Sequence, residues 1–429
     1  MTRLFFATAV LLLGTTIAQA DTLAITNARI LTAGPQGEIA SGTIVVTNGK
    51  ISAVGASVQV PSGATVIDAG GKTVTPGLYA AGSNLGAVEI DQVDETNDNS
   101  SSSHSVSAAF DISYGIDPDS MVIPVARQGG ITRAVVTPVP GDGEGRELLF
   151  AGQAAIITLA DGAQPVVKPR AAMVLTLGEA GTGIAGGSRG SAITALRADL
   201  DDVRWFARNR RSFNDGATRE LRLSRPDLEA LVPVIQKRMK LIVSVRRASD
   251  ILEVIRLARD YNLDVVVAGG EEAWVVAKEL AAARVPVMLN PTNNLPGSFE
   301  MRDATMENAA RLARAGVLIC FANGDGGHRA REARYNAGNA VAHGLPHARA
   351  VEALTVNAAR IFGEAASVGS IEKGKTADLV VWSGDPLEPL SEATSIIIAG
   401  KMQPMTSRAD ELAKRYRKLD ETLPPAYRH

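Results

Sequence analysis

The 429-residue sequence has little cysteine, histidine or aromatic content: one Cys, five His and 4% Phe, Trp and Tyr. Cys320 stands alone, so no disulfide can form within the chain, and its apolar run Val317-Leu318-Ile319-Cys320-Phe321 marks it as buried packing. The histidines are His104, His328, His343, His347 and His429. A catalytic zinc takes about three protein ligands, so few combinations could hold one. His343 and His347 are interrupted by Gly344-Leu345-Pro346, which breaks the helix that would align them. A charge excess is also missing. The net charge is -2, which excludes a broad field for nucleic acid or anionic lipid and leaves a small molecule or another protein as the expected partner. Beyond the first residues no apolar run reaches the roughly 20 residues of a membrane span.

What is present is a 45% apolar composition with 41 glycines, suited to a well-packed chain with a barrel-sized domain and a smaller one. Residues 1–20 read as a signal peptide: Arg3 precedes the apolar Leu4 to Leu13, and Ala18-Gln19-Ala20 leads into Asp21. The expectation is a mature chain beginning at Asp21, periplasmic or secreted, without membrane attachment. No Cys follows the cleavage site to take a lipid.

From Thr22 to Val74, and again across Ala377 to Ala399, short β-branched runs alternate with glycine-rich breaks, which predicts strands. Between them short apolar runs alternate with helical periodicity, the pattern of β-α units around parallel strands. The expected fold is α/β: a (β/α)8 TIM-like barrel over 77–363, with a small composite β-sandwich made from 21–76 and 364–405 and a helical tail over 406–429. Glu89–Ser120 and Gly178–Leu223 do not fit the repeat and read as insertions.

Two motifs are specific. Asp68-Ala69-Gly70-Gly71-Lys72-Thr73-Val74-Thr75-Pro76-Gly77-Leu78 resembles the approach to the barrel in the amidohydrolase superfamily. Gly369-Ser370-Ile371-Glu372-Lys373-Gly374-Lys375-Thr376-Ala377-Asp378-Leu379-Val380-Val381-Trp382 resembles the return of those chains into their small β-domain, and Leu354 to Gly363 their last barrel helix. Ile116 to Ser120, Gly152 to Ile157 and Gly269 to Trp274 are similar to markers of the exported, imidazolonepropionase-like group. The resemblance implies a hydrolase of carbon–nitrogen bonds other than ordinary peptides, in which one or two divalent ions, usually zinc, activate water.

The resemblance also implies where imidazole ligands should stand, and this sequence departs from it. Gly82 and Asn84 replace the first-strand His-x-His pair, Ser244 and Arg246 stand at the end of the fifth strand, and Gly269 falls near the sixth-strand position. Arg246 would repel a divalent ion. Asp325 matches the eighth-strand aspartate, either as an acid or base or as a helix N-cap, and His328 follows it as a second candidate. No cofactor is expected, since the zinc ligands are largely absent. The acidic run Glu89, Asp91, Asp94, Glu95, Asp98 lacks EF-hand spacing and reads as a solvated loop, while Glu271 and Glu272 read as charges opening a helix. Two functions stay open: a hydrolase with a remodelled, metal-free site using Asp325 with His328 or Arg246, or an inactive relative. The latter would bind a small ligand or support an active homologous subunit.

Overall fold

The computed structural model describes residues 21–103, 105–141, 149–217, 219–293, 295–322 and 326–417. The expected leader at 1–20 and the end of the tail from 418 onward lie outside the described residues, as do His104, Asp325 and His429.

The β-branched stretch that opens the described chain forms β1 (Thr22–Leu31), β2 (Glu38–Thr47), β3 (Lys50–Gly55), β4 (Thr65–Asp68) and β5 (Thr73–Pro76). Strand β1 changes partner along its length, pairing with β4 from Leu23 to Thr26 and with β5 at Arg29 and Ile30. The switch falls at Asn27, whose φ of 53° is a left-handed conformation that asparagine tolerates better than most residues.

Eight strands then close a ring: β6 (Leu78–Ser83), β7 (Ile131–Val136), β8 (Phe150–Thr158), β9 (Val166–Thr176), β10 (Lys240–Val245), β11 (Val265–Gly269), β12 (Val287–Leu289) and β13 (Ile319–Phe321). They follow one another in sequence order, and a parallel bridge between Ala81 and Ala322 joins the two ends. This is the expected TIM-like barrel with one departure. Strand β8 runs antiparallel to β7 and β9, so no crossover helix is needed on either side of it. Asp161-Gly162, with Gly162 at φ 66°, makes the β8–β9 turn, and Asp-Gly between two apolar runs is the sequence signal for such a hairpin.

The barrel interior is packed by Ala81, Val135, Val174, Ile242, Val266 and Cys320, the last fully buried as expected. Helices cover the outside. In Ala248–Tyr261 the buried residues Ile251, Val254, Leu257 and Tyr261 fall on one stripe at helical spacing, each contributing about 1.5–3 kcal/mol on full burial. Asn262, at φ 55°, ends that helix in a left-handed cap. The segment Gly178–Leu223 is not a loose insertion. It holds the helices Gly178–Ile184, Arg189–Arg208 and Arg210–Asn214, and Ala192, Leu196, Leu200 and Val203 give the long one a buried face. Glu89–Ser120 stays a loop apart from two short 3-10 turns, Asp94–Thr96 and Ile112–Gly115, among its described residues.

The chain returns as β14 (Leu379–Trp382), antiparallel to β5, and β15 (Ala393–Ile398) and β16 (Lys401–Met402) extend the same sheet. Both ends of the chain therefore build one sheet. Trp382 packs that sheet against the barrel: its ring comes within 2.4 Å of where a Cβ on Gly130, just before β7, would be, while its indole donates to Thr75 Oγ1 of the neighbouring β5 at 2.8 Å. Beneath the barrel Arg133 joins the same two parts through Asp378 at 3.1 Å and Glu364 at 3.5 Å. The closing helix, Arg408–Tyr416, starts on a Ser407–Asp410 capping box. Among the described residues no helix is long and apolar enough to cross a membrane.

Candidate functional site at the barrel mouth

At the C-terminal ends of the strands, where barrels of this kind carry their sites, lies a cavity of about 570 Å³. Gly82, Ser244, Arg246 and Gly269 line it, so four of the positions singled out in the sequence meet. Asn84 does not line it; its buried Oδ1 sits against Gly327 and has no hydrogen-bond partner among the described residues. His328 is also elsewhere. Its side chain is 59% exposed, with Nδ1 3.9 Å from Asp91 Oδ2 in the acidic loop.

The cavity floor is apolar. It consists of Val174, Ile242, Ala268, Met288 and Ala322, contributed by five neighbouring parts of the ring. Gly82 has φ 67°, and a Cβ placed on it would stand 3.2 Å from Met288 Cε and 3.7 Å from Ala322 Cβ. A thioether and a methyl group thus occupy the space beside the first expected ligand position. Zinc in such barrels is held by imidazole and carboxylate groups, and the residues present here do not fit it. Among the described residues no group of three His, Cys, Asp or Glu is placed to hold an ion.

The wall is polar, and its charged members are Glu179, Glu271 and Glu300 with Arg246. Arg246 follows β10, and its guanidinium lies between two carboxylates, 3.7 Å from Glu271 Oε1 and 3.7 Å from Glu300 Oε1. Glu300 has structural work: its Oε2 accepts the Glu179 N–H at 2.8 Å at the start of the helix Gly178–Ile184, and Arg189 reaches it at 3.5 Å. That tie pins the loop after β12 to the end of β9 across the cavity.

Glu271, which the sequence presents as a charge opening a helix, belongs to the cavity instead. It does not open a helix; a 3-10 turn begins at Ala273 and the α-helix only at Ala277. Gly269 and Gly270, at φ 87° and 62°, turn the chain sharply after β11, and Glu271 Oε2 comes within 3.1 Å of where a Cβ on Gly269 would be. Its carboxylate therefore fills space that a side chain at the sixth-strand position would need. Only 4% of the residue is exposed, and Oε2 has no hydrogen-bond partner among the described residues. Burial pushes its pKa up, and Glu300 adds to the rise; its own backbone N–H, the Arg246 charge and the Asn293 amide oppose it. The signal was available in the sequence: paired glycines at the C-terminal end of a barrel strand, followed at once by an acid. Glu272 turns the other way, accepting Ala248 N–H at 2.9 Å and Asp303 N–H at 3.2 Å.

Comparisons with known proteins agree with this geometry. A model of the amidohydrolase family matches residues 235–402, from just before β10 to the end of β16. The solved structure of an amidohydrolase from Thermotoga maritima is 26% identical and superposes with a TM-score of 0.78 over 89% of this chain and 99% of that one. Molinate hydrolase, at 15% identity and TM-score 0.54 over 94% and 99% of the two chains, shares the fold. So does enamidase, at 18% and 0.50 over 90% and 97%. None of the curated proteins matches.

Proposed function

From the premise that the chain belongs to the amidohydrolase superfamily, we propose that its barrel mouth binds a small organic molecule and has given up metal-dependent hydrolysis of carbon–nitrogen bonds. One observation carries this reading. Where the superfamily resemblance places a metal-binding His-x-His pair, Gly82 presents a left-handed backbone to Met288 and Ala322, and the cavity floor around them is apolar. A cavity of this size with an apolar floor and a few converging polar groups suits a small molecule.

A second reading is favoured by Glu271. A buried carboxyl with a raised pKa, lining a cavity beside Arg246, has the chemistry of a general acid or base, so hydrolysis without a metal is the competing function.

Elemental analysis and turnover separate these. Protein purified without chelator should contain far less than one zinc per chain, and cyclic amides and dipeptides should not turn over. Zinc at one equivalent or more, with hydrolysis abolished by a chelator, would refute the proposal. Turnover that survives chelation and disappears in Glu271→Gln would establish the second reading in its place.

A further inference from the structure

Resting on the ligand-binding reading of this cavity, we propose that its ligand is an organic cation. A positively charged nitrogen, ammonium or guanidinium, pairs with the Glu271 carboxylate, and an apolar body lies on the floor formed by Val174, Ile242, Met288 and Ala322.

The charge on the wall sets the sign. Glu179, Glu271 and Glu300 line the cavity against a single guanidinium, Arg246. Arg246 is not available to a ligand anion on favourable terms, because it already stands 3.7 Å from an oxygen of each of two carboxylates, and an incoming carboxylate would face both. The three acids differ in what they have left to offer. Glu300 is engaged by the Glu179 N–H and by Arg189. Glu179 is exposed to water. Glu271 is buried, and its Oε2 has neither a donor among the described residues nor solvent. A charged acceptor in that position is unfavourable until a donor reaches it, and a cationic N–H is the donor that offsets both the missing hydrogen bond and the excess charge. A cation there also opposes the effect of burial on the carboxyl and holds it ionised. The floor supplies nothing polar, so the part of the ligand that lies on it is apolar.

Three probes of one skeleton test this by calorimetry and thermal shift on the purified protein: phenethylamine, phenethyl alcohol and hydrocinnamate. The amine should bind about tenfold or more tightly than the alcohol, as expected for a charge-assisted hydrogen bond, with hydrocinnamate weaker still. Glu271→Gln should weaken the amine by a similar factor and leave the alcohol nearly unchanged. If that variant does not fold, the comparison of amine with alcohol on the unaltered protein decides alone. Binding of the alcohol or of hydrocinnamate as tight as that of the amine overturns the cation inference while the ligand-binding reading survives, and so does a Glu271→Gln variant that retains full amine affinity. No amine binding at all also overturns it. Stoichiometric zinc with chelator-sensitive hydrolysis overturns the underlying reading instead.

Discussion

Gly82 shows how much a single backbone angle constrains this site. At φ 67° a residue with a side chain is strained, and Met288 Cε sits 3.2 Å from the position of its Cβ. Gly82→His should therefore lower the unfolding free energy by about 1–3 kcal/mol in a denaturant titration, the usual cost of forcing a side chain into a sparsely populated conformation. The double variant Gly82→His with Asn84→His should take up no zinc, because Asn84 points outside the cavity and the partners that orient ligands are absent. Stoichiometric zinc in that variant would mean that Met288 moves aside more easily than its packing implies. At this scale the sequence was legible for Gly82, Ser244, Arg246 and Gly269, because strand ends in a barrel converge by construction. It was misleading for Glu271. An acid just before a helical pattern is ordinarily explained by the helix dipole, and only the left-handed turn at Gly269 and Gly270 redirects this one into the cavity.

Elements in this barrel are held in place by side chains from outside them. The helix Ala248–Tyr261 has no side-chain cap from its own N-cap residue, Arg247; Glu272, beyond the next strand, accepts the Ala248 N–H at 2.9 Å while its other oxygen takes the Asp303 N–H at 3.2 Å. One buried carboxylate thus joins the loop after β11 to the start of one helix and to the loop that carries Glu300. Glu272→Ala should lower stability by about 1–3 kcal/mol, the range for leaving buried donors unpaired, with faster amide exchange at Ala248 and Asp303. Unchanged exchange at both amides would show that water replaces the carboxylate. Elements with a strong local period were readable in advance: Asp250 to Asn262 reads as a helix from its apolar spacing, and the structure has Ala248–Tyr261. The region Gly178–Leu223 was not, since the glycines and mixed charges around Ala192, Leu196, Leu200 and Val203 obscure their helical spacing. Strand β8 carries little local signal, since Gly152, Gln153 and three alanines weaken its β propensity.

Across the whole molecule, barrel and sheet are tied by groups whose charge depends on pH. His347, at the start of the helix His347–Leu354, lies 2.9 Å from Asp385 after β14. Its hydrogen bond to Asp385 raises the imidazole pKa above the ordinary 6.5, against the effect of burial, and the same bond lowers the carboxyl below 3.8. A raised histidine stabilises the fold fully below pH 6.5 and loses that contribution as pH rises through its folded value. A lowered aspartate stabilises above pH 3.8 and loses its contribution as pH falls through its folded value. The pair therefore acts between these limits, and because a third of each side chain is exposed it should contribute less than about 1 kcal/mol. The stability difference between the protein and His347→Gln should shrink as pH rises from 6.5 through the folded value; a difference that grows instead would reverse the sign assigned here. The sequence by itself determined the barrel and the sheet built from both chain ends, because period, turn residues and the flanking motifs are local properties of a few neighbouring residues. Only the tertiary structure decided that Met288 closes the floor beside Gly82 and that Glu271, Arg246 and Glu300 share one wall. These residues sit on separate strands and loops, and nothing local to any of them encodes the distance that ring closure sets between them.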